Sequence, residues 1–469
     1  MANFFKAVSK SKISNESVTV SIDKLDINGV GIARWNNKPL FIAGALPHEI
    51  VTVKIIEQKN KYARAKLISF NQQSESRVQP QCHHFGLCGG CDLQMLAIEA
   101  QLLFKQQKIT ELFSRHFSEQ QLTKKIEQHD LPWQAPIKSE SWHYRRKARI
   151  GVQFDKKSQA TVGFRQKSTN QLAAIKSCPV LVEPINAIFP LFKKLLAQLT
   201  VKSAIGHIEV IQADITHNNT DSDDTLKSKR QVVLVIRQLK PMNNTDIELW
   251  KSYAQQHNWH IIVDDGNTQL PLTTTQKPST TMLSYTLEDT NEIYFSSSDF
   301  IQINHEVNNA MISQALTWLK ISPTDNVLDL FCGLGNFSLA LAKQANHVIG
   351  VEGVQVMVDK AKHNANINGL NNCEFYQADL NSHWLDASWA KGSAIDKVLL
   401  DPARAGAEQA VRQVAELKVA TVLYVSCDPA TLARDSAILV SKGYIIDKIS
   451  LMDMFTQTKH VETMVLFRL

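Results

Sequence analysis

The sequence predicts an α/β protein of three domains: an OB-like β-barrel at 12–71, a central α+β domain at 72–290 and a Rossmann-like domain at 291–469. Short segments of alternating apolar residues at the start predict the barrel. A cysteine-containing segment followed by a helix marks the central domain, and a repeated strand–helix pattern marks the last. A chain of 469 residues also exceeds the roughly 250–300 residues that a single core supports.

The composition is that of a soluble globular protein, with 44% hydrophobic and 20% charged residues. No stretch approaches the roughly 18 apolar residues of a membrane span. The opening segment MANFFKAVSKSK lacks the apolar centre of a secretory signal, so we expect a cytoplasmic protein. A net charge of +6 fits a polyanionic partner but also occurs in enzymes that have none.

Five strand-sized segments between Ser17 and Phe70 predict the barrel. Barrels of the OB type bind oligonucleotides across one face. The last of the five segments is basic, which predicts a nucleic-acid-binding face or, alternatively, an edge strand protected by charge. Its basic residues are Lys59, Lys61, Arg64 and Lys66.

The central region begins with the polar run 71–81 and the cysteine segment, and residues 96–117 have the apolar spacing of a helix. Residues 142–165 predict a β-hairpin or meander with a basic first strand. That strand mixes the cations Arg145, Arg146, Lys147 and Arg149 with Trp142, His143 and Tyr144. Such a mixture predicts phosphate pairing and base stacking; the alternative is a charged strand face. The polar segments 217–230 and 267–282 predict surface loops.

A glycine turn follows the first apolar strand of the last region, in NVLDLFCGLGNFSLALAKQA. Gly333 and Gly335 allow the backbone to approach a ligand closely. Glu352 ends the next strand, 19 residues after Gly333, where a carboxylate can accept hydrogen bonds from ribose hydroxyls. This spacing fits any adenosine-containing cofactor.

Four acidic residues come at the ends of successive predicted strands: Asp329, Glu352, Asp379 and Asp401. The carboxyl ends of parallel strands form the ligand-binding edge of an open α/β sheet. An acidic edge suits a cofactor with ribose hydroxyls, an adenine amine and a cationic centre, and it repels a pyrophosphate. The pattern therefore favours S-adenosylmethionine over NAD.

Cys427 directly follows a fully apolar strand, and Asp428-Pro429 begin a helix. A helix N-terminus or a nearby cation could lower its pKa from about 8.5 and make the thiolate a nucleophile. The alternative is burial as a small apolar residue, which we predict for Cys332 and Cys373. Glu462, between a loop and the final strand, is a candidate general base or else a solvated strand residue.

The remaining cysteines predict a metal centre. Cys82, Cys88 and Cys91 have the spacing C-x5-C-x2-C, and Cys178 precedes a proline. Four thiolates satisfy either zinc or a [4Fe–4S] cluster. Structural zinc more often uses paired C-x2–4-C segments, so the spacing favours iron–sulfur.

The segments DLFCGLGNFSL, LLDPARAG, VSCDPATLARD and HVET together resemble the uracil-C5 RNA methyltransferase family, across the whole catalytic half. The resemblance implies an enzyme that uses S-adenosylmethionine, with Cys427 as nucleophile and Glu462 as general base. It places the cofactor on Gln302, Phe331, Asn336, Glu352, Asp379 and Asp401.

The N-terminal barrel resembles a TRAM domain, an RNA-binding module of some family members. Ribosomal members carry a [4Fe–4S] cluster on this cysteine pattern, and the barrel together with the cluster favours 23S rRNA as the partner. We expect a monomer. The alternatives are a sister enzyme for another rRNA or tRNA uridine and a non-catalytic, ribosome-associated RNA-binding protein. One departure is Thr456, where the family has proline after M-D-M-F.

Overall fold

The structure is a computed structural model that describes residues 17–117, 131–215, 229–272, 283–288, 290–391 and 394–469. The opening segment 1–12 and most of the two predicted loops lie outside the described residues. The chain divides into two compact units, Met1–Phe104 with Gln457–Lys459, and Lys105–Thr456 with His460–Leu469. The bounds of the three predicted domains stay a prediction.

The first unit contains a six-stranded sheet. Its strands are β1 (Ser17–Ser21), β2 (Lys24–Leu25), β3 (Gly31–Trp35), β4 (Lys38–Ile42), β5 (Ile50–Gln58) and β6 (Ala63–Gln72). The order is β1-β5-β6-β4-β3-β2. The first predicted segment, residues 17–25, forms the two strands β1 and β2. Alternation along β5 buries Val51, Val53 and Ile55 in the core. β6 pairs with β5 along its length but with β4 only over Ala63–Ala65. The edge-strand interpretation is therefore wrong for Arg64.

The predicted helix is confirmed as α1 (Ile98–His116). Its first residues belong to the first unit and the rest to the second. The cysteine segment before it consists of turns. None of the described helices is long and apolar enough to cross a lipid bilayer.

The second unit contains two sheets. The strands of its nine-stranded sheet are β7 (Lys147–Phe154), β8 (Ala160–Arg165), β9 (Leu172–Ala174), β10 (Ile205–Ile215), β11 (Lys229–Gln238), β12 (Trp259–Asp264), β13 (Gln269–Pro271), β14 (Leu283–Thr286) and β15 (Glu292–Phe295). The order β13-β12-β11-β10-β7-β8-β9 is completed by β14, which pairs with β10 and β15. Its helices are α2 (Glu183–Asn186), α3 (Ile188–Gln198) and α4 (Asn244–His257), with a 3₁₀ turn at Lys202–Ala204. Of the two predicted loops, residues 229–230 belong to β11 and residues 269–271 form β13.

The predicted hairpin is confirmed as the antiparallel pair β7–β8. Its basic residues do not form one exposed face. Arg146 is 5% exposed, and Lys147 donates to the carbonyls of Ser297 and Asp299 at 2.8 Å each. Tyr144 is buried and donates to the Thr456 carbonyl. These three side chains therefore do not lie on an exposed strand face, and their contact with RNA stays a prediction.

The second sheet of this unit confirms the Rossmann-like expectation. Its strands are β16 (Asn326–Leu330), β17 (His347–Glu352), β18 (Cys373–Gln377), β19 (Lys397–Leu400), β20 (Thr421–Ser426), β21 (Ile445–Met452) and β22 (Glu462–Arg468). Its helices are α5 (His305–Leu319), α6 (Ser338–Ala342), α7 (Gln355–Ile367), α8 (Ser388–Lys391), α9 (Glu408–Leu417) and α10 (Pro429–Ser441). The order is β18-β17-β16-β19-β20-β22-β21. Strands β16–β20 are parallel and β22 runs antiparallel to β20.

Candidate active site

A cavity of about 460 Å³ lies at the carboxyl ends of β16, β17, β19 and β20. This is the edge where open α/β sheets bind ligands. Of the eight residues predicted for catalysis and cofactor binding, seven line it: Gln302, Phe331, Asn336, Glu352, Asp401, Cys427 and Glu462. Tertiary structure therefore brings together side chains spread over 160 residues of sequence.

The glycine turn forms one wall. Phe331 has a φ of 64° and Gly335 a φ of 89°, and a Cβ on Gly335 would lie 2.3 Å from Leu339 Cδ1. A phenylalanine in the left-handed region is strained, as residues at ligand sites often are. Glu352 is held beside this turn because its Oε2 accepts from the Gly333 N–H at 3.2 Å.

The four acidic residues do not share one environment. Glu352 and Asp401 line the cavity, whereas Asp379 is absent from its walls. The Asp379 carboxylate accepts from the Asn381 N–H and the Ser382 hydroxyl, which lowers its pKa. Asp329 is 1% exposed and accepts from the Ser338 hydroxyl at 2.5 Å, so it supports the turn from beneath.

Cys427 and Glu462 meet through the register of two neighbouring strands. Ser426, the last residue of β20, pairs with Thr463 of β22. Cys427 and Glu462 are therefore the next residues of two antiparallel strands, and such facing positions bring side chains within contact range. Glu462 is 5% exposed, and its Oε2 has no hydrogen-bond partner among the described residues. The interpretation of Glu462 as a solvated strand residue is wrong.

The electrostatics of this pair differ from the expectation. Burial, followed by the carboxylates of Glu462 and Asp401, raises the pKa of Cys427 to about 11, while Arg404 acts in the opposite direction. The helix N-terminus that could have lowered it is capped by Asp428, which accepts from the N–H groups of Ala430 and Thr431. The prediction of a lowered thiol pKa is wrong for the protein without ligands.

The acidic groups of the cavity also have raised pKa values. Burial, then the charge of Asp401, raises the pKa of Glu462 to about 8. Burial, then the charge of Asp329, raises the pKa of Asp401 to about 7. Among the described residues, the causes that shift these two pKa values include no cation. Perturbed carboxyl groups that lack a cationic partner, gathered in one cavity, are typical of a functional site.

The loop before Glu462 is held by buried polar contacts. Asp453 forms an ion pair of 2.5 Å with Lys105, and both side chains are at most 2% exposed. Thr456, which stands where the family has proline, donates to Asp453 Oδ2 at 3.0 Å. In the first unit, Gln457 and Gln101 exchange two hydrogen bonds of 3.0 and 3.1 Å. Side-chain contacts thus restrain the loop without the proline.

The other predicted cysteines have different outcomes. Cys332 is 6% exposed and Cys373 is partly buried, with burial raising its pKa to about 12, which suits packed thiols. Cys82, Cys88 and Cys91 belong to the first unit and Cys178 to the second. Within the described ranges, no group of three or more His, Cys, Asp or Glu side chains is arranged to hold a metal ion. Because the four cysteines fall in two separate units, the predicted cluster ligands stay a prediction.

The unpredicted residues of the cavity wall include Tyr285, Phe300 and Arg404. Phe300 is 70% exposed, and Arg404 is the one basic side chain among the described residues that line the cavity. Arg404 lies in the LLDPARAG segment, so the motif itself contained the signal. Tyr285 donates to Asn336 Oδ1 at 3.2 Å, and nothing in its local sequence indicated this contact.

The sheet is Rossmann-like, with an antiparallel strand beside β20, and its cavity is acidic and contains a cysteine. These features are typical of a methyltransferase that uses a nucleoside cofactor. The model of the tRNA (uracil-5-)-methyltransferase family matches residues 114–469, and that of the TRAM domain matches residues 14–68. The chain belongs to the tRNA (uracil-5-)-methyltransferase family. Its barrel is a TRAM domain.

Relatives match over the full length. A protein of Colwellia psychrerythraea, named 23S rRNA (uracil(1939)-C(5))-methyltransferase RlmD, is 74% identical over 467 residues, covering 100% of this chain and 99% of the relative. A protein of the same name from Shewanella sp. (strain ANA-3) is 42% identical, with both chains covered completely.

Among solved structures, the Pyrococcus abyssi tRNA (uracil-54, C5)-methyltransferase in complex with S-adenosyl-L-homocysteine is similar, with a TM-score of 0.70 and 19% identity. The similarity covers 96% of this chain and 100% of that one. At this identity the likeness concerns the fold.

Proposed function

We propose that this protein transfers a methyl group from S-adenosylmethionine to C5 of a uridine in 23S rRNA, at the position that its relatives' name gives as 1939. The observation that carries the proposal is the placement of Cys427 beside Glu462 on the wall of the cofactor-sized cavity. This pair supplies the nucleophile and the base that methylation of a pyrimidine carbon requires.

The cavity fits S-adenosylmethionine by its chemistry. Gln302 Oε1 is buried without a partner among the described residues, which leaves an acceptor for an amine or hydroxyl of the cofactor. Glu352 is placed for the ribose hydroxyls, and Asp401 is a carboxylate that a cation would stabilise. Phe331 and Asn336 also line the cavity. Asp379 does not line it, and its contact with the cofactor stays a prediction. When bound, the cofactor supplies an electrophilic methyl group on a sulfonium.

Cys427 performs the activating step. C5 of uracil is too weak a nucleophile to accept a methyl group unaided. Addition of the Cys427 thiolate to C6 converts the ring into an enolate. C5 would then form the bond to the methyl carbon as the sulfur–methyl bond breaks, and a neutral thioether would leave. The positive charge of Arg404 favours the thiolate and opposes the effect of the nearby carboxylates.

Glu462 resolves the adduct. After methylation, C5 carries both a methyl group and a proton. Removal of that proton by the Glu462 carboxylate lets the electron pair re-form the C5–C6 double bond, and the Cys427 thiolate leaves. The base is held in place by the contacts of the preceding loop, including the Lys105–Asp453 ion pair.

The RNA has to present an unpaired uridine, because C5 of a stacked base cannot be reached in line. The exposed ring of Phe300 on the cavity wall offers a stacking surface for a base that leaves its helix. In the barrel, Lys59, Lys61, Arg64 and Lys66 are exposed, which supports contacts of the TRAM domain with phosphates.

The four cysteines Cys82, Cys88, Cys91 and Cys178 are proposed ligands of a [4Fe–4S] cluster. The support is their spacing and the proline after Cys178; the geometry of the described residues does not supply it. No step of methyl transfer involves the cluster. Anaerobic purification with iron, sulfide and zinc analysis tests it: about four irons and four sulfides per chain are expected, and zinc without sulfide would refute it.

The function is tested by incubating the protein with labelled S-adenosylmethionine and unmodified 23S transcript, and then mapping the methylated nucleotide. We expect one 5-methyluridine, and none with Cys427→Ala. Methylation of tRNA, or of another rRNA uridine, would show that the substrate is that of a sister enzyme. An absence of transfer to any RNA would favour a non-catalytic RNA-binding protein. The cytoplasmic location and the monomeric state stay predictions.

A further inference from the structure

A second, smaller cavity of about 140 Å³ lies beside the catalytic one, and Tyr285 lines both. Its walls come from separate elements of the second unit. Arg146 precedes β7, Asp214 lies on β10, Arg230 lies on β11 and His305 begins α5. It has room for one small planar group and is not part of the predicted cofactor site.

The Arg146 side chain lies on the wall of this cavity. The side chain is 5% exposed; its Nε donates to the Gln302 carbonyl at 2.9 Å, and its Nη1 lies 3.3 Å from His305 Nδ1. Nη2 is buried and has no hydrogen-bond partner among the described residues. A buried donor without an acceptor is unfavourable, so a ligand that brings an acceptor here would be stabilised.

The charges of the cavity balance. Arg146 and Arg230 are opposed by Asp214 and Glu306, and Arg230 Nε lies 3.7 Å from Asp214 Oδ1. Burial, with the charges of the two arginines, lowers the pKa of His305 to about 4, so its ring is neutral. A cavity with donors and acceptors but no net charge favours a neutral ligand that has both, rather than a phosphate.

Aromatic side chains make up much of the remaining wall: His143, Tyr144 and Tyr285. The Arg146 guanidinium lies over the Tyr285 ring, with Cζ 4.2 Å from the centroid. Proteins that read single-stranded RNA stack splayed bases on aromatic rings and guanidinium planes, and hydrogen-bond their edges. Both kinds of contact are available here.

We propose that this second cavity binds a base of the RNA substrate other than the uracil to be methylated, with Arg146 and Arg230 donating to its acceptors and Asp214 accepting from its N–H groups. The inference rests on the proposed function, since it assumes an RNA substrate. Because the cavity shares Tyr285 with the catalytic one, the base belongs to a nucleotide close to the target. The cavity then selects one uridine among many by the identity of a neighbour.

The test measures binding of a synthetic RNA segment that contains the mapped target, with an abasic residue placed at one position at a time. For the wild type, we expect one position other than the target at which affinity falls about tenfold, or about 1.4 kcal/mol. The Arg230 side chain is 60% exposed. The Arg230→Gln variant should bind intact RNA about tenfold more weakly than the wild type does. An abasic residue at that position should not weaken its binding further. Asp214→Asn should alter which base is preferred there.

Arg237→Gln is the matched control, because Arg237 lies on the same strand and pairs with an aspartate, Asp264, outside this cavity. It should bind RNA as the wild type does. Unchanged S-adenosylmethionine affinity and thermal unfolding show that each variant is folded. The proposal is overturned if Arg230→Gln and Asp214→Asn bind intact RNA normally, or if their abasic profiles match that of the wild type. A wild type that methylates no RNA would instead refute the proposed function.

Discussion

Glu462 lies opposite Cys427 at the open end of the methyltransferase sheet, one step beyond the Ser426–Thr463 pair of β20 and β22. The two groups are 35 residues apart in sequence, and the antiparallel turn of the last two strands returns the carboxylate to the thiol. The carboxylate raises the pKa of the thiol, second only to burial. The thiol and the carboxylate are therefore electrostatically coupled before any ligand binds.

Glu462→Gln should trap the reaction after methyl transfer. Without the base, the C5 proton remains and the Cys427–C6 bond cannot break, so turnover should fall by about 10²–10⁴-fold. A methylated protein–RNA adduct should accumulate on denaturing gels. Glu416→Gln, on an exposed residue of α9, is the control and should turn over normally. Free methylated RNA without an adduct would mean that another group is the base.

The same substitution should make the thiol more reactive in the absence of ligands. Replacing a carboxylate by a neutral amide removes a cause of the raised pKa of Cys427, which is about 11 in the wild type. Alkylation of Cys427 by iodoacetamide at pH 9, followed by peptide mass spectrometry, should be faster in Glu462→Gln. It should be slower in Arg404→Gln, because Arg404 lowers this pKa. Equal rates in all three proteins would contradict the coupling.

Stability should fall as the pH rises through the neutral range. The folded pKa values of Glu462 (about 8) and Asp401 (about 7) lie above the ordinary values of 4.5 and 3.8 for these groups. The folded state favours the neutral, protonated form of both carboxyl groups. Their contribution to the free energy of unfolding is therefore fully present below about pH 4 and is lost as the pH rises to about 8. Thermal unfolding between pH 5.5 and 8.5 measures this trend. In Glu462→Gln it should be shallower; an unchanged slope would show that this carboxyl group is not responsible.

Lys105→Met should destabilise the protein by about 3–5 kcal/mol, because it leaves the Asp453 carboxylate buried without its cation. Both side chains are at most 2% exposed. The double variant Lys105→Met with Asp453→Leu should recover most of the loss, since replacing both partners by apolar residues is often neutral. Urea unfolding of the wild type, both single variants and the double variant gives the coupling energy. Additive losses would indicate that the ion pair is not what holds this loop.

Several features followed from local sequence alone. Alternation along Ile50–Gln58 predicted a half-buried strand, and apolar spacing at 96–117 predicted α1, since both patterns depend only on the period of the backbone. The glycine turn and the strand-end positions of Glu352 and Asp401 predicted the ligand-binding edge for the same reason. Short motifs, which keep their residues close in sequence, also led to Cys427.

Other features depended on which face a side chain turns to and on what lies across from it. The cations at 145–147 look exposed in sequence, yet Arg146, which directly precedes β7, is only 5% exposed. Asp329 and Asp379 have the same strand-end position as Glu352, but one is buried under the turn and the other is bonded to its own loop. A strand-end position alone therefore does not establish a ligand contact.

The sequence by itself determined the family, the Rossmann-like order of strands and helices, and the identity of the residues at the catalytic edge, because these depend on local periodicity and short motifs. Only the tertiary structure decided that Glu462 is buried opposite Cys427 and that the thiol pKa is raised rather than lowered. It also decided that Arg146, Asp214 and Arg230 line a second cavity. The physical reason is that burial and charge at a site are sums over neighbours that lie far apart along the chain.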